Sequence, residues 1–403
     1  MKTKFTVLAI GMSLGINAQT FQEQTIELGA SYEDDVYYDL TSATGEDEEG
    51  KNWHIAFGLG GADASIHFQS AWGSKLYKTS HNVSDWSAID TVGISGMTAL
   101  INEPSSWGTG AFNQNPADPG SGFDMGWGTY DIVTHQVAGS AVFLAEIDAD
   151  YYKIHIESLI SGEYKFKYQK IESGSTVVEE TIKKSDYAGM DMIHYDVVEN
   201  EVVERDPSAD WQFIIGKYTD FAPTPYPVVG VRIKQGMEVV KIANTHPNDV
   251  VLSGLTFTEE INTIGYNWKT FNMGTFSYEI ADSTSYVIKE DNGAMHHFYF
   301  TEYEGSSTGV VKLMYKGHSV GTNEYAQEKM VALSKNPVSK NETFVLQSNH
   351  TMTSVNVYNA NGQLVQSISP DLNQVDLQIN NTGLYIIESV VNGEKQVNKL
   401  IVE

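Results

Sequence analysis

Apolar and polar residues alternate with a period of two along much of the chain. Tyr151-Tyr152-Lys153-Ile154-His155-Ile156-Glu157 puts Tyr152, Ile154 and Ile156 on one face. Glu163-Tyr164-Lys165-Phe166-Lys167-Tyr168 puts three aromatics on one face and three charges on the other. Such runs predict strands with one buried and one wet side. Tyrosine, valine, isoleucine, threonine and phenylalanine are abundant, and no amphipathic helical run exceeds about three turns. The expected fold class is all-β.

Several strand patterns recur in the same order. Tyr37-Tyr38-Asp39-Leu40, an acidic stretch and Asn52-Trp53-His54-Ile55-Ala56-Phe57-Gly58 are matched by His194-Tyr195-Asp196-Val197, another acidic stretch and Asp210-Trp211-Gln212-Phe213-Ile214-Ile215-Gly216. Gly126-Trp127-Gly128-Thr129-Tyr130 is matched by Asn267-Trp268-Lys269-Thr270-Phe271, and the strand ending at Tyr168 by one ending at Tyr315. Ordered recurrence of this kind marks duplicated units. The units expected are residues 19–175 and 190–317, separated by a polar connection over 172–190, within which Thr176-Val177-Val178 has strand character. A linker is expected over 318–331, and a small β-sandwich over 332–403. The repeated tryptophans Trp53, Trp127, Trp211 and Trp268 read as shared core packing. Trp72, Trp86 and Trp107, with Gly108 and Gly110, fall in an insertion specific to the first unit and are candidates for a unit-specific surface.

The ends add a destination. Lys2 and Lys4 precede an apolar run from Phe5 to Leu14, and Gly15-Ile16-Asn17-Ala18 follows. That is the layout of a signal peptide, residues 1–18, cleaved after Ala18. No other apolar segment approaches the roughly 20 residues a spanning helix needs. The chain has no cysteine, so thiolate metal sites and cysteine nucleophiles are excluded. Its formal charge is −27 and arginine is nearly absent. Such a surface repels phosphate backbones, which argues against nucleic acid as a partner. The acidic run Gly45-Glu46-Asp47-Glu48-Glu49-Gly50 lacks the ligand spacing of a calcium loop and reads as a solvated turn.

From Leu333 the text becomes a succession of short strands, with Asn361-Gly362 as a hairpin turn. Asn336-Pro337, the hairpin ending at Gly362, Thr382-Gly383-Leu384-Tyr385-Ile386 and Lys399-Leu400-Ile401-Val402 resemble the type A C-terminal sorting domain of type IX secretion cargo. Asn336, Pro337, Gly362, Gly383, Tyr385 and Lys399 carry that resemblance. It implies export across an outer membrane, with the type IX translocon and its sortase as partners, followed by release or surface attachment.

The repeated Trp-x-apolar strands, with Thr134-His135-Gln136-Val137 and Val142-Phe143, are similar to the HmuY-like family of haem-binding proteins. The resemblance implies two HmuY-like units and haem or a related porphyrin as a possible cofactor. Haem needs an axial donor in an apolar pocket. His135, Met273 and Met125 are the candidate ligands, against turn and core-filling roles for the same residues. His296 and His297 are adjacent on a strand, so they face opposite ways and do not chelate one ion. There is no Gly-x-Ser-x-Gly, phosphate-cradling loop or His-Glu-x-x-His, and no catalytic residue is assigned. The leading expectation is a non-enzymatic, exported ligand-binding protein, with a surface receptor as a further possible partner. The alternative is a structural or adhesive surface protein without a small ligand, and a hydrolase is the third reading.

Overall fold

The computed structural model describes residues 20–206, 211–221, 224–318, 331–391 and 394–403. The signal segment 1–18 lies outside the described residues, as does all but the two ends of the 318–331 linker. The chain forms one unit up to residue 320 and a second from residue 321.

The first unit opens with β1 (Gln22–Glu27), β2 (Asp34–Asp39) and β3 (Thr44–Glu49). Next come β4 (Ile55–Gly58), β5 (Ile66–Phe68), β6 (Lys75–Lys78), β7 (Gly128–Asp131), β8 (Gln136–Gly139), β9 (Phe143–Ile147), β10 (Asp150–Ile160) and β11 (Glu163–Lys170). The cycle then repeats. β12 (Val178–Lys183), β13 (Met192–Asp196) and β14 (Glu201–Val203) correspond to β1–β3. β15 (Phe213–Phe221), β16 (Pro225–Ile233), β17 (Glu238–Ile242), β18 (Lys269–Asn272), β19 (Ser277–Ile280), β20 (Ser285–Lys289), β21 (Met295–Tyr303) and β22 (Val310–His318) correspond to β4–β11. Helix among the described residues is confined to short 3-10 turns.

The pairing crosses the repeat boundary. β4 pairs with β13, and β11 with β12, so β4–β14 form a continuous module. Its two sheets run β12-β11-β10-β9-β6, with the β7–β8 hairpin beside β10, and β14-β13-β4-β5. The second module begins at β15 and lacks three strands of its own. β1 supplies one by pairing with β22, and the β2–β3 hairpin supplies two by pairing β2 with β15. Its sheets run β1-β22-β21-β20-β17 and β3-β2-β15-β16. Each module has its own apolar core. One is built between Ile55 and Val197, and the other joins Ile26–Leu40 to Phe213–Leu313. The modules also share small details. β10 shifts register between Ile156 and Ser158, and β21 between Phe300 and Glu302. The residue after each repeated tryptophan accepts the same backbone N–H, Val197 N to His54 Nδ1 at 3.2 Å and Leu40 N to Gln212 Oε1 at 2.8 Å.

Two expectations change here. Residues 172–190 are not a plain connection, because Val178–Lys183 is an edge strand whose Ile182 enters the first core. The acidic run 45–50 is not a turn: Thr44–Glu49 is a strand against β2, with its carboxylates facing water. The strands follow the order of the repeated blocks, but the blocks start three strands before the module's frame. The two repeats therefore interlock instead of standing as consecutive self-contained units.

The second unit contains β23 (Val331–Leu333), β24 (Thr343–Asn359), β25 (Leu364–Ile368), β26 (Leu372–Gln378), β27 (Gly383–Val391) and β28 (Glu394–Val402). β24 pairs through its first half with β23 and β26 and through its second half with β25 and β27, enclosing a core around Phe344, Leu346, Val357 and Ile387. Asn336 fixes the final strand: its Nδ2 donates to Lys399 O at 2.7 Å and its Oδ1 accepts from Ile401 N at 2.9 Å.

In the second module, Tyr315 of β22 lies opposite Gln22 of β1, as Tyr168 lies opposite Val178 in the first. A fragment of residues 211–318, joined by a short copy of the 171–177 loop to residues 20–50, should therefore unfold cooperatively in urea. Residues 211–318 alone should show no cooperative transition by circular dichroism.

Candidate functional site

In the four-stranded sheets, β4, β5 and β13 of one module and β2 and most of β15 of the other are buried on both faces. On β2, Val36 and Tyr38 enter the second core, while Asp35 and Tyr37 face away from it. On β13, Ile193 and Tyr195 enter the first core, while Met192 and His194 face away. The outward faces meet at a seam between the modules. A cleft of about 540 Å³, counting space open to solvent, lies there. A second hollow of about 410 Å³ shares Trp53, His67, Asn102, Trp107 and Arg232 with it and extends to Lys217.

The 403 residues contain two arginines, Arg205 and Arg232, and both line this cleft. Their situations differ. Arg205 is 3 % exposed and engaged at both terminal nitrogens, with Nη2 to Asp35 Oδ2 at 2.7 Å and Nη1 to Glu49 O and Asn52 Oδ1, each at 2.8 Å. Asp35 fits because residue 216 is glycine: a Cβ there would sit 1.9 Å from its Oδ1. Burial pushes the Asp35 carboxyl up, while Arg205 and Arg232 pull it back. Arg232 has no such partner. Among the described residues nothing accepts a hydrogen bond from its guanidinium, which lies 4.6 Å from the ring centre of Trp107 and 4.8 Å from that of Tyr218. Aromatic faces hold a guanidinium in place without neutralising it.

Trp107 comes from the insertion between β6 and β7 and spans the seam. Its Nε1 donates to Ile233 O at 2.9 Å, and its carbonyl accepts from His67 Nε2 at 2.8 Å. The same loop is seated on β5 at Gly110, where a Cβ would meet Ile66 O at 2.0 Å. Because a carbonyl only accepts, His67 carries its hydrogen on Nε2. Burial lowers His67 to about 4 and holds His194 well below its ordinary value, so both rings are neutral. Asp206 Oδ2 accepts from Asp191 N at 2.5 Å and Met192 N at 2.9 Å, and burial together with Asp191 raises its carboxyl to about 6. Burial also raises Asp191, against the pull of Lys234. Trp53 Nε1, Trp211 Nε1, Arg205 Nε, Arg232 Nε, Asp191 Oδ2 and Asp206 Oδ1 are buried without a partner in the protein. Native interiors satisfy most such groups, so their concentration around one cleft calls for an occupant, water or ligand.

The residues expected from the sequence lie elsewhere. His135 has φ 56° in the β7–β8 turn, and its Nδ1 is 2.6 Å from Tyr130 Oη. Its counterpart in the second module's turn is Phe276, φ 53°. Met125 packs against the first core, and Met273 is 72 % exposed in the β18–β19 turn of the other module. These three are not gathered into a ligand set. His296 and His297 are both buried and engaged, with Glu290 Oε1 and Ser285 Oγ respectively. Of the repeated tryptophans, Trp127 and Trp268 are core residues, while Trp53 and Trp211 line the cleft. Trp107 was legible as an unusual residue; the arginines were not singled out, although their rarity was the available signal.

Residues 336–403 match the family of the secretion system C-terminal sorting domain. The chain ends in a type IX sorting domain. The protein is therefore exported, for attachment to the cell surface or release, and its sorting domain engages the type IX secretion machinery. The match covers the tail alone, and no family matches the HmuY-like resemblance of the repeated modules. No curated protein matches the chain as a relative. Among solved structures the chain is similar to PorZ of Porphyromonas gingivalis, a surface component of the type IX secretion system, at 10% identity and a TM-score of 0.18, over 68% of this chain and 44% of PorZ. It is also similar to apo PinO from Porphyromonas gingivitis, at 9% identity and a TM-score of 0.22, over 75% of this chain and 99% of that one. The chain thus spans less than half the length of PorZ, and scores this low establish no common fold.

Arg205→Met should destabilise the protein by about 3–5 kcal/mol in urea titrations, because it strands a buried carboxylate. Adding Asp35→Asn should restore most of that loss. Asp206 gives a pH signature. A carboxyl raised to about 6 on folding carries its penalty above that pH and none below about 4. Asp206→Asn should therefore match the wild type at pH 4 and exceed its stability at pH 7.

Proposed function

We propose that the exported protein captures a small anionic ligand, most simply a carboxylate, in the cleft between its two modules, without turnover. The observation that carries this reading is the distribution of arginine. A chain of charge −27 places both of its arginines in one cleft, and leaves the guanidinium of Arg232 unpaired there. Guanidinium is the side chain best shaped for a carboxylate, through two parallel hydrogen bonds. Arg205 and Asp35 tie the closing hairpin to the connection between β14 and β15, and so hold the cleft in shape. Lys217, whose ammonium lies 3.6 Å from the Trp72 ring centre, adds a second cation at the smaller hollow.

Haem fits the cleft poorly as an occupant. His135, Met125 and Met273 are not at it, and its orphaned atoms include many hydrogen-bonding groups, where a porphyrin face needs an apolar wall. A purely adhesive protein would leave the unpaired Arg232 without a purpose.

The test is a thermal-shift screen of the mature chain against acetate, benzoate, galacturonate and phosphate. At least one anion should raise the melting temperature saturably, by the linkage that gives about 2.7 kcal/mol at a hundredfold excess over Kd. The shift should shrink with added salt and vanish in Arg232→Gln. If no anion shifts the wild type, the capture reading fails and the adhesive one gains.

A further inference from the structure

Building on the capture reading, we infer that the ligand is an acidic monosaccharide unit: a polyhydroxylated ring bearing one carboxylate. The partnerless atoms around the cleft are of two kinds. Trp53 Nε1, Trp211 Nε1 and the Nε atoms of Arg205 and Arg232 are donors, whereas Asp191 Oδ2 and Asp206 Oδ1 are acceptors when ionised. A simple carboxylate offers acceptors alone and would leave the two aspartates unanswered. An ammonium group could answer the aspartates, but one such cation offers nothing further to the scattered indole donors. Hydroxyl groups both donate and accept, so a ring carrying several of them meets both kinds at once.

The remaining features fit the same class. Trp53, Trp107 and Trp211 supply indole surface, and sugar rings present an apolar face of C–H groups to such surfaces. The fork of Arg232, flanked by Trp107 and Tyr218 and sharing the field of Asp35 with Arg205, is the cation of the larger cleft that has no hydrogen-bonded partner, and so the one open to the acid group. The cleft, about 540 Å³ when space open to solvent is counted, is reachable from outside, as a site that takes a free sugar or the end of a sugar chain must be. Half of the six donors and acceptors belong to residues at most 4 % exposed, Arg205, Asp206 and Trp211, and the other three to half-buried residues, so the arrangement is held by the fold and not by mobile surface groups.

The test is calorimetric titration of the mature chain at pH 7 with galacturonate and glucuronate, galactose, acetate, and glycine. At least one uronate is expected to bind at least tenfold more tightly than galactose, acetate or glycine. Arg232→Gln should bring that uronate down to the level of galactose, and Trp107→Phe should weaken uronate and galactose alike. Circular dichroism of both variants must match the wild type; if Arg232→Gln is misfolded, Arg232→Lys, which keeps the charge and loses the fork, serves in its place. Acetate binding as tightly as the uronates overturns the sugar assignment and leaves anion capture standing. Glycine binding more tightly than the uronates also overturns it, in favour of a zwitterion. No binding by any probe overturns both.

Discussion

The pairing of β1 and β2 with strands made almost two hundred residues or more later is the constraint on which the first unit depends. Ile26, Leu28, Val36, Tyr38 and Leu40 complete the second core, and each buried side chain of that size contributes roughly 1.5–3 kcal/mol. Without them β15 and β22 would expose unpaired edges over an open core. The same pairing sets the seam. It brings Asp35 and Tyr37 of the closing hairpin to the same cleft as Trp53, His67 and His194 of the other module, where polar groups lie beside a small apolar cluster of Tyr37, Trp211 and Ile214 with Trp107 packed against it.

The seam accordingly divides labour between two chemically similar residues. Arg205 is consumed by structure, with its fork filled by Asp35, Glu49 and Asn52. Arg232 is held by aromatic faces that fix its position and leave its charge available. An ion pair that is already satisfied stabilises a shape, while a half-buried guanidinium with no hydrogen-bonded carboxylate of its own makes sense when a ligand supplies one. Trp107 makes the arrangement specific to one side of the pseudo-symmetric pair, since the insertion that carries it has no equivalent of the same length in the second module.

Much of the fold was legible because it is written in alternation. The strands around Ile154 and Phe166, the Asn361-Gly362 hairpin and the correspondence of Trp127 with Trp268 all followed from period and order. The strand exchange was not legible, because a repeat in the text has no preferred starting point: the blocks recur identically whether Tyr37-Tyr38 pairs within its own copy or the other. The cleft was hidden for a related reason. Trp53 and Trp211 recur like core residues, and on strands buried on both faces recurrence alone does not tell a core side from a seam side. Ile66-His67-Phe68 and Val231-Arg232-Ile233 carried the missing signal, a polar residue between two apolar ones on equivalent strands. The sorting tail was read correctly from local motifs because its few fixed residues, such as Asn336, act on their immediate neighbours. The candidate axial ligands were named from their neighbourhood in the text, which does not show that His135 and Met273 occupy hairpin turns of different modules while Met125 packs against the first core.

The three-strand offset has an effect on assembly. Each module hands strands forward to the next, which is a head-to-tail relation of the kind that generates open fibres when it does not close. Here the donor at the start of the chain meets the acceptor at its far side, so the series ends after two members and becomes a ring. The reactive edge that would recruit another copy is occupied by the molecule's own first residues, and the tether keeps that local partner favoured over any neighbour at ordinary concentrations. Duplication with a shifted frame thus yields a protein that counts to two.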